Sequence, residues 1–272
     1  MVNDGNGFDP LLLLKGSIIG VANIIPGVSG GTLAVVLGIY ERFIEALSNI
    51  LQDAENRKCY LKFLAHIGVG AFLSIFILSN LMDFLYENYE VPTIYFFMGL
   101  ILGSIPTILK MHTDMRPNLS NIALFLIGSI SILLLELLNV SEASASSGNG
   151  NLIFLFFVGI AAAAAMIVPG FSGSFVLVAF GVYWELIEAV KSFDLVVMAP
   201  PAIGGLIGVL GVSKIIGKVL SRYPTKFYYF ILGLIIASLI VIFPGFPDGW
   251  EIIFSSVLTL AFGAIISSKL SK

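Results

Sequence analysis

At 272 residues, 58% of them hydrophobic and 11% charged, with a mean hydropathy of +1.01, the chain is too apolar for a soluble domain, where roughly a quarter of residues are charged. It reads as an integral membrane protein. The net charge of −3 is small and no basic cluster or basic–aromatic stripe is present, which sets nucleic-acid binding aside; Cys59 is the only cysteine, so no intrachain disulfide or thiolate metal site is available, and no metal or cofactor is expected.

In chain order, Met1 to Pro10 carries Asp4 and Asp9, no basic leader and no A-x-A-like site, so a cleaved signal peptide is not expected and the first apolar run should stay in the mature chain. Apolar segments follow at about 11–25, 32–48, 63–86, 93–109 and 119–138, then at 152–168, 174–190, 195–213, 227–244 and 250–268. Five segments precede the polar stretch Ser141–Asn151 and five come after it. That stretch reads as a flexible outer linker.

The halves match. From Pro26 to Leu47 against Pro169 to Val190, at an offset of 143, ten of 22 positions are identical: Pro26/Pro169, Gly27/Gly170, Ser29/Ser172, Gly30/Gly173, Val35/Val178, Gly38/Gly181, Tyr40/Tyr183, Ile44/Ile187, Glu45/Glu188 and Ala46/Ala189. Further on the offset is 134, and Tyr89, Tyr95, Phe96, Gly99, Leu100, Ile101 and Ser104 meet Tyr223, Tyr229, Phe230, Gly233, Leu234, Ile235 and Ser238. This is an internal duplication. A single membrane domain (1–272) is expected, with a first repeat at 10–138, a linker at 139–151 and a second repeat at 152–272.

Five crossings per half, or three crossings and a hairpin that dips in and returns, both turn the second half upside down. Distributing the loops with a cytoplasmic N-terminus places Lys15, Arg57, Lys58, Lys62, Lys110, Arg116, Lys214, Lys218, Arg222, Lys226, Lys269 and Lys272 on the cytoplasmic side and only Lys191 outside; Arg42 falls within a segment. Cytoplasmic loops hold the excess of Lys and Arg. The expected fold is therefore an all-α polytopic protein with an inverted repeat and both termini in the cytoplasm. Segments 11–25 and 32–48 are shorter than the ~20 residues of a straight crossing, which points to a re-entrant helical hairpin in each half alongside about three transmembrane helices.

The chemistry lies in two polar loops, Pro26-Gly27-Val28-Ser29-Gly30-Gly31-Thr32 and Pro169-Gly170-Phe171-Ser172-Gly173-Ser174. Proline ends the incoming helix, glycine lets the backbone approach a ligand, and Ser29 or Thr32, and Ser172 or Ser174, are candidate N-caps. Unpaired amides in hydrocarbon cost several kcal/mol each, so two such loops facing one another near the midplane make an anion site from amides, hydroxyls and helix N-termini. The plainer alternative is a pair of tight turns packed through small residues.

Beyond the loops, Tyr40-Glu41-Arg42 with Glu45, and Glu185 with Glu188, are candidates for gating or for coupling to a proton or sodium ion, since charges at membrane depth are costly. The alternative for Glu45 is a pair with Arg42 at headgroup level. Lys15 either snorkels to the surface or neutralises an anionic headgroup. Pro200-Pro201 and Gly204-Gly205 read as a kink in segment 195–213 that packs against a hairpin. Gly27-Val28-Ser29-Gly30-Gly31 satisfies G-x-S-x-G, but a serine nucleophile needs a base; His66 and His112 belong to other segments and have no counterpart in the second half. No enzyme is expected.

Taken together, Gly20 to Thr32 with Gly38-Ile39-Tyr40-Glu41, and Val168 to Phe175 with Gly181-Val182-Tyr183, resemble the signatures of the prokaryotic polyprenyl-phosphate transporter family, over essentially the whole chain. The resemblance implies a cell-membrane translocase that returns undecaprenyl phosphate from the outer to the cytoplasmic leaflet for cell-envelope polymer synthesis. The residues Pro26, Gly27, Ser29, Gly30, Gly31, Thr32, Pro169, Gly170, Ser172, Gly173, Ser174 and Lys15 would then hold the phosphate. Where the family has Tyr-Glu in the second repeat, this chain has Tyr183-Trp184-Glu185. A transporter or channel for a small soluble anion is the alternative function.

Overall fold

The computed structural model describes residues 8–23, 28–111, 115–137 and 151–271, which form eleven helices and no strand. In the first half these are α1 (Pro10–Ala22), α2 (Gly30–Val36), α3 (Tyr40–Asn49), α4 (Arg57–Met111) and α5 (Leu119–Leu137). In the second they are α6 (Leu152–Ile167), α7 (Gly173–Ala179), α8 (Tyr183–Ser192), α9 (Leu195–Arg222), α10 (Pro224–Ile242) and α11 (Trp250–Leu270). Among the described residues, four helices are long and apolar enough to cross a membrane, or five if the bent pair α7–α8 is one span. Residues 24–27, His112 and the linker 139–150 lie outside the described segments.

Local chemistry explains the helix boundaries. Asp9 starts α1 by accepting from the Leu11 and Leu12 amides at 3.0 and 3.2 Å, with Pro10 at the first turn; Asn151 and Asp194 do the same for α6 and α9. Such caps satisfy amides that have no helical partner and contribute about 1 kcal/mol each. α4 would be about 80 Å long if straight, at 1.5 Å per residue, far beyond a bilayer core. Tyr89 divides it, with φ −138° and ψ 41° outside helical geometry. Its repeat partner Tyr223 adopts φ −137° and ψ 55° and separates α9 from α10. The first half of α4 and α9 thus correspond, as do its second half and α10.

The expected helix 32–48 is not continuous. It breaks at 37–39 into α2 and α3, where Gly38 takes φ +67°, and the matching run breaks at Gly181 with φ +71°. Only glycine adopts that left-handed geometry cheaply. α7 and α8 are bent by 109°. Segment 195–213 departs from expectation in the opposite sense: α9 continues through Pro200 and Pro201, and Gly204 serves packing against α6.

Glycines set the helix pairings. A Cβ on Gly70 of α4 would overlap the Leu13 carbonyl of α1, and one on Gly204 of α9 would overlap the Phe156 carbonyl of α6. Likewise Gly99 of α4 lies against Leu260 of α11, and Gly233 of α10 against Phe125 of α5. Both glycine pairs are related by the 134-residue offset. Without a strong hydrophobic drive between helices in lipid, such close backbone approach is what holds them together. α1 pairs with α4, and α6 with α9, inside each half; α4–α11 and α5–α10 pair across the halves. Two tyrosines reinforce the crossing: Tyr95 donates to the Gly245 carbonyl at 3.2 Å, and its counterpart Tyr229 donates to the Met115 carbonyl at 3.3 Å.

Candidate functional site

The two polar loops touch. Ser29 caps α2 by accepting from the Thr32 amide at 3.1 Å, and its Oγ lies 2.9 Å from Thr32 Oγ1. Both hydroxyl oxygens also accept the Gly170 N–H of the second loop, at 3.1 Å from Ser29 and 2.8 Å from Thr32. Gly31 sits where a Cβ would come within 3.1 Å of the Met166 and Ile167 carbonyls, so a larger residue would push the loops apart. Tyr40 closes the contact by donating to the Ile167 carbonyl at 3.2 Å. Asn23 accepts from the Gly30 amide at 3.1 Å across the first loop. Ser29, Thr32, Gly31, Pro169 and Tyr40 are all buried.

The second loop is arranged differently. Ser172 occupies the cap position of α7 without bonding a helix amide, and its Oγ pairs with Ser174 Oγ at 2.7 Å on an exposed surface. Only Gly173 of α7 is buried, whereas every residue of α2 from Gly31 to Val36 is. Duplicated segments thus stand in unlike surroundings. Both helices have only seven residues, so the dipole expected of longer outgoing helices is small, and loop amides and hydroxyls carry the polarity. Pro26 and Gly27 lie outside the described residues.

Lys15 is 8% exposed, and its Nζ donates to the Leu37 carbonyl at 2.8 Å. It neutralises the orphan carbonyls at the end of α2 instead of reaching the surface. Arg42 stands over the Phe63 ring at 4.6 Å. Glu41 accepts a 2.6 Å bond from the Tyr228 hydroxyl. Glu45 and Glu188 are exposed, and Glu185 Oε2 is a buried carboxylate oxygen with no hydrogen-bond partner among the described residues. His66 is engaged away from the loops: its Nε2 accepts from the Asp9 amide at 3.1 Å while its Nδ1 lies 2.7 Å from the Lys62 carbonyl.

Two cavities flank this arrangement. One of about 660 Å³ lies between α3 and α9 and is lined by Glu41, Glu45, Lys214 and Lys218 among others. The second, about 440 Å³, is lined by Val28 of the first loop together with Tyr86, Glu90 and Glu136. Sequence reasoning missed Gly38 and Gly181 as bends and Tyr228 as a partner of Glu41. The bends had a signal in the duplicated Gly38/Gly181 pair; Tyr228 had none, since it lies 187 positions from Glu41.

Apolar helices locked by glycine contacts around two meeting polar loops define a multi-pass membrane protein. Residues 19–257 match the VCA0040-like family, described as undecaprenyl phosphate translocase-like. The chain is 33% identical over 273 residues to a polyprenyl-phosphate transporter of Staphylococcus aureus, covering 96% of this chain and 95% of that protein. It is 32% identical over 245 residues to a polyprenyl-phosphate transporter of Vibrio cholerae, covering 85% and 76%. The chain belongs to this translocase-like family, which is one of transporters and not of enzymes. No solved structure matches it.

Proposed function

We propose that the protein carries polyprenyl phosphate across the cell membrane, returning undecaprenyl phosphate from the outer to the cytoplasmic leaflet for cell-envelope synthesis. The observation that carries this reading is the Gly170 amide held by Ser29 and Thr32. Donor and acceptors from opposite halves converge on one point, and an arriving phosphate would take the Gly170 N–H and the two hydroxyls as its own partners. Charge-assisted bonds to phosphate are about twice as strong as the neutral ones they replace. The relatives' names point to the same lipid.

In this reading the loop residues Pro26 to Thr32 and Pro169 to Ser174 hold the headgroup near the midplane of an inverted repeat, with the prenyl tail left in lipid, and Lys15 supplies nearby positive charge. The unlike surroundings of α2 and α7 favour alternating access, in which the halves exchange environments. Glu41, Arg42, Glu45, Glu185 and Glu188 are the gating candidates, with a proton or sodium ion as the coupling ion.

The test is movement of undecaprenyl phosphate between leaflets of liposomes containing the purified protein, beside uptake of soluble phosphate. Lipid movement that Ser29→Ala/Thr32→Ala abolishes is the expected result. Soluble phosphate uptake without lipid movement would replace this reading with that of a small-anion transporter.

A further inference from the structure

The cleft between α3 and α9 has no role in the loop chemistry, yet two lysines line it. Lys214 and Lys218 are four residues apart on α9 and so share a face. Among the described residues neither ammonium group makes a hydrogen bond or an ion pair; Lys214 is half-buried and Lys218 exposed. Gly217, between them, faces α3, where a Cβ would stand in ordinary contact with Ser48 Oγ at 3.5 Å.

We propose that this cleft is a second binding site for a phosphate monoester headgroup, with Lys214 and Lys218 as its cationic ligands. Lysine binds phosphate as a compact point charge with three donors, and Ser48 and Gln52 line the same cavity as further polar groups. Its 660 Å³ hold a headgroup with much of its water, at about 30 Å³ per molecule. The opposite wall carries Glu45 and Glu41, the latter tied to Tyr228 at 2.6 Å. Two positive and two negative groups leave the cleft near neutral, which favours brief occupancy over permanent capture. The lipid identity of the ligand rests on the function proposed above; the phosphate chemistry does not. Lys214 and Lys218 lie towards the C-terminal end of α9, the end whose Lys and Arg lead one to expect it on the cytoplasmic side, so the cleft suits delivery or departure of the headgroup there.

The experiment is titration calorimetry on the full-length detergent-solubilised protein at low salt, with a short-chain prenyl phosphate and with inorganic phosphate as separate probes. The variants are Lys214→Gln/Lys218→Gln and Lys214→Arg/Lys218→Arg. The expected result is prenyl phosphate binding weakened about tenfold or more in the Gln variant, from loss of two charge-assisted contacts, and recovered in the Arg variant. Unchanged affinity in the Gln variant, or no recovery with Arg, overturns the site. Inorganic phosphate bound as tightly as the prenyl phosphate, and lost in the Gln variant, keeps a phosphate site and removes the lipid from it. The leaflet assay separates the two readings: wild type that moves no lipid defeats the transport proposal while calorimetry still decides the cleft.

Discussion

Thr32 and Gly170, 138 positions apart, are joined by a 2.8 Å hydrogen bond from the Gly170 amide to the Thr32 hydroxyl. Ser29 accepts the same N–H at 3.1 Å. The amide therefore has a reserve acceptor, and single and double substitutions should differ.

Thr32→Val removes one acceptor at constant shape and should change stability little. Ser29→Ala/Thr32→Val leaves the amide unsatisfied, costing about 1–3 kcal/mol, and deletes the α2 cap for about 1 kcal/mol more. Thermal unfolding in detergent reads the loss, and hydrogen exchange over residues 168–176 should accelerate in the double variant alone. Equal exchange in wild type and double variant would show that the bridge contributes nothing.

Gly70→Ala and Gly204→Ala each drive a methyl into the backbone of the partner helix, at Leu13 and Phe156. Overpacking of this kind costs about 1–3 kcal/mol. Gly68 and Gly211 have nothing within 4 Å of the same position, so alanine there should be neutral or stabilising by up to about 1 kcal/mol through helix propensity. Melting temperatures of the four variants should fall into these two groups.

Gly38→Ala combines a left-handed backbone at φ +67° with a Cβ 2.9 Å from the Ser271 carbonyl. The backbone strain alone is about 1–2 kcal/mol. Gly245→Ala has φ +90° and open space, so it carries strain without collision and should lower the melting temperature less.

Asp53, in the loop after α3, accepts from the Asn56 amide at 3.0 Å, Asn56 Nδ2 at 2.8 Å and the Tyr60 hydroxyl at 3.2 Å. The Asn56 side-chain donor, then its backbone amide, holds the carboxyl below its ordinary range. A depressed folded pKa stabilises above the unfolded value and loses that contribution as pH falls through the folded one. Asp53→Asn should therefore be less stable than wild type at pH 7, with the gap in melting temperature closing in acid. A gap that is constant with pH would place the effect elsewhere.

Much of this arrangement was written in the chain. Pro26 and Pro169, with their glycines and serines, announced two loops because those residue types cannot continue an apolar helix, and the offset-134 matches foretold that Tyr89 and Tyr223 would hold equivalent places. What escaped was geometry that depends on distant partners. An apolar run such as 32–48 looks helical throughout, and the bend at Gly38 follows from a single backbone torsion. Lys15 could not be placed until the end of α2 came to rest beside it. Ser29 and Ser172, identical in sequence, differ in structure because the hydroxyl of one found Gly170 across the interface and that of the other bonds Ser174.

The crossed contacts of Tyr95 with Gly245 and Tyr229 with Met115 bear on assembly. Each half lends the other a helix: the second part of α4 rests on α11, and α10 rests on α5. Each half pairs two of its own helices, α1 with α4 and α6 with α9, but completes its packing only against the other half. The same logic predicts that residues 1–138 and 152–272, produced as separate chains in one membrane, recover as a complex, while either alone is degraded.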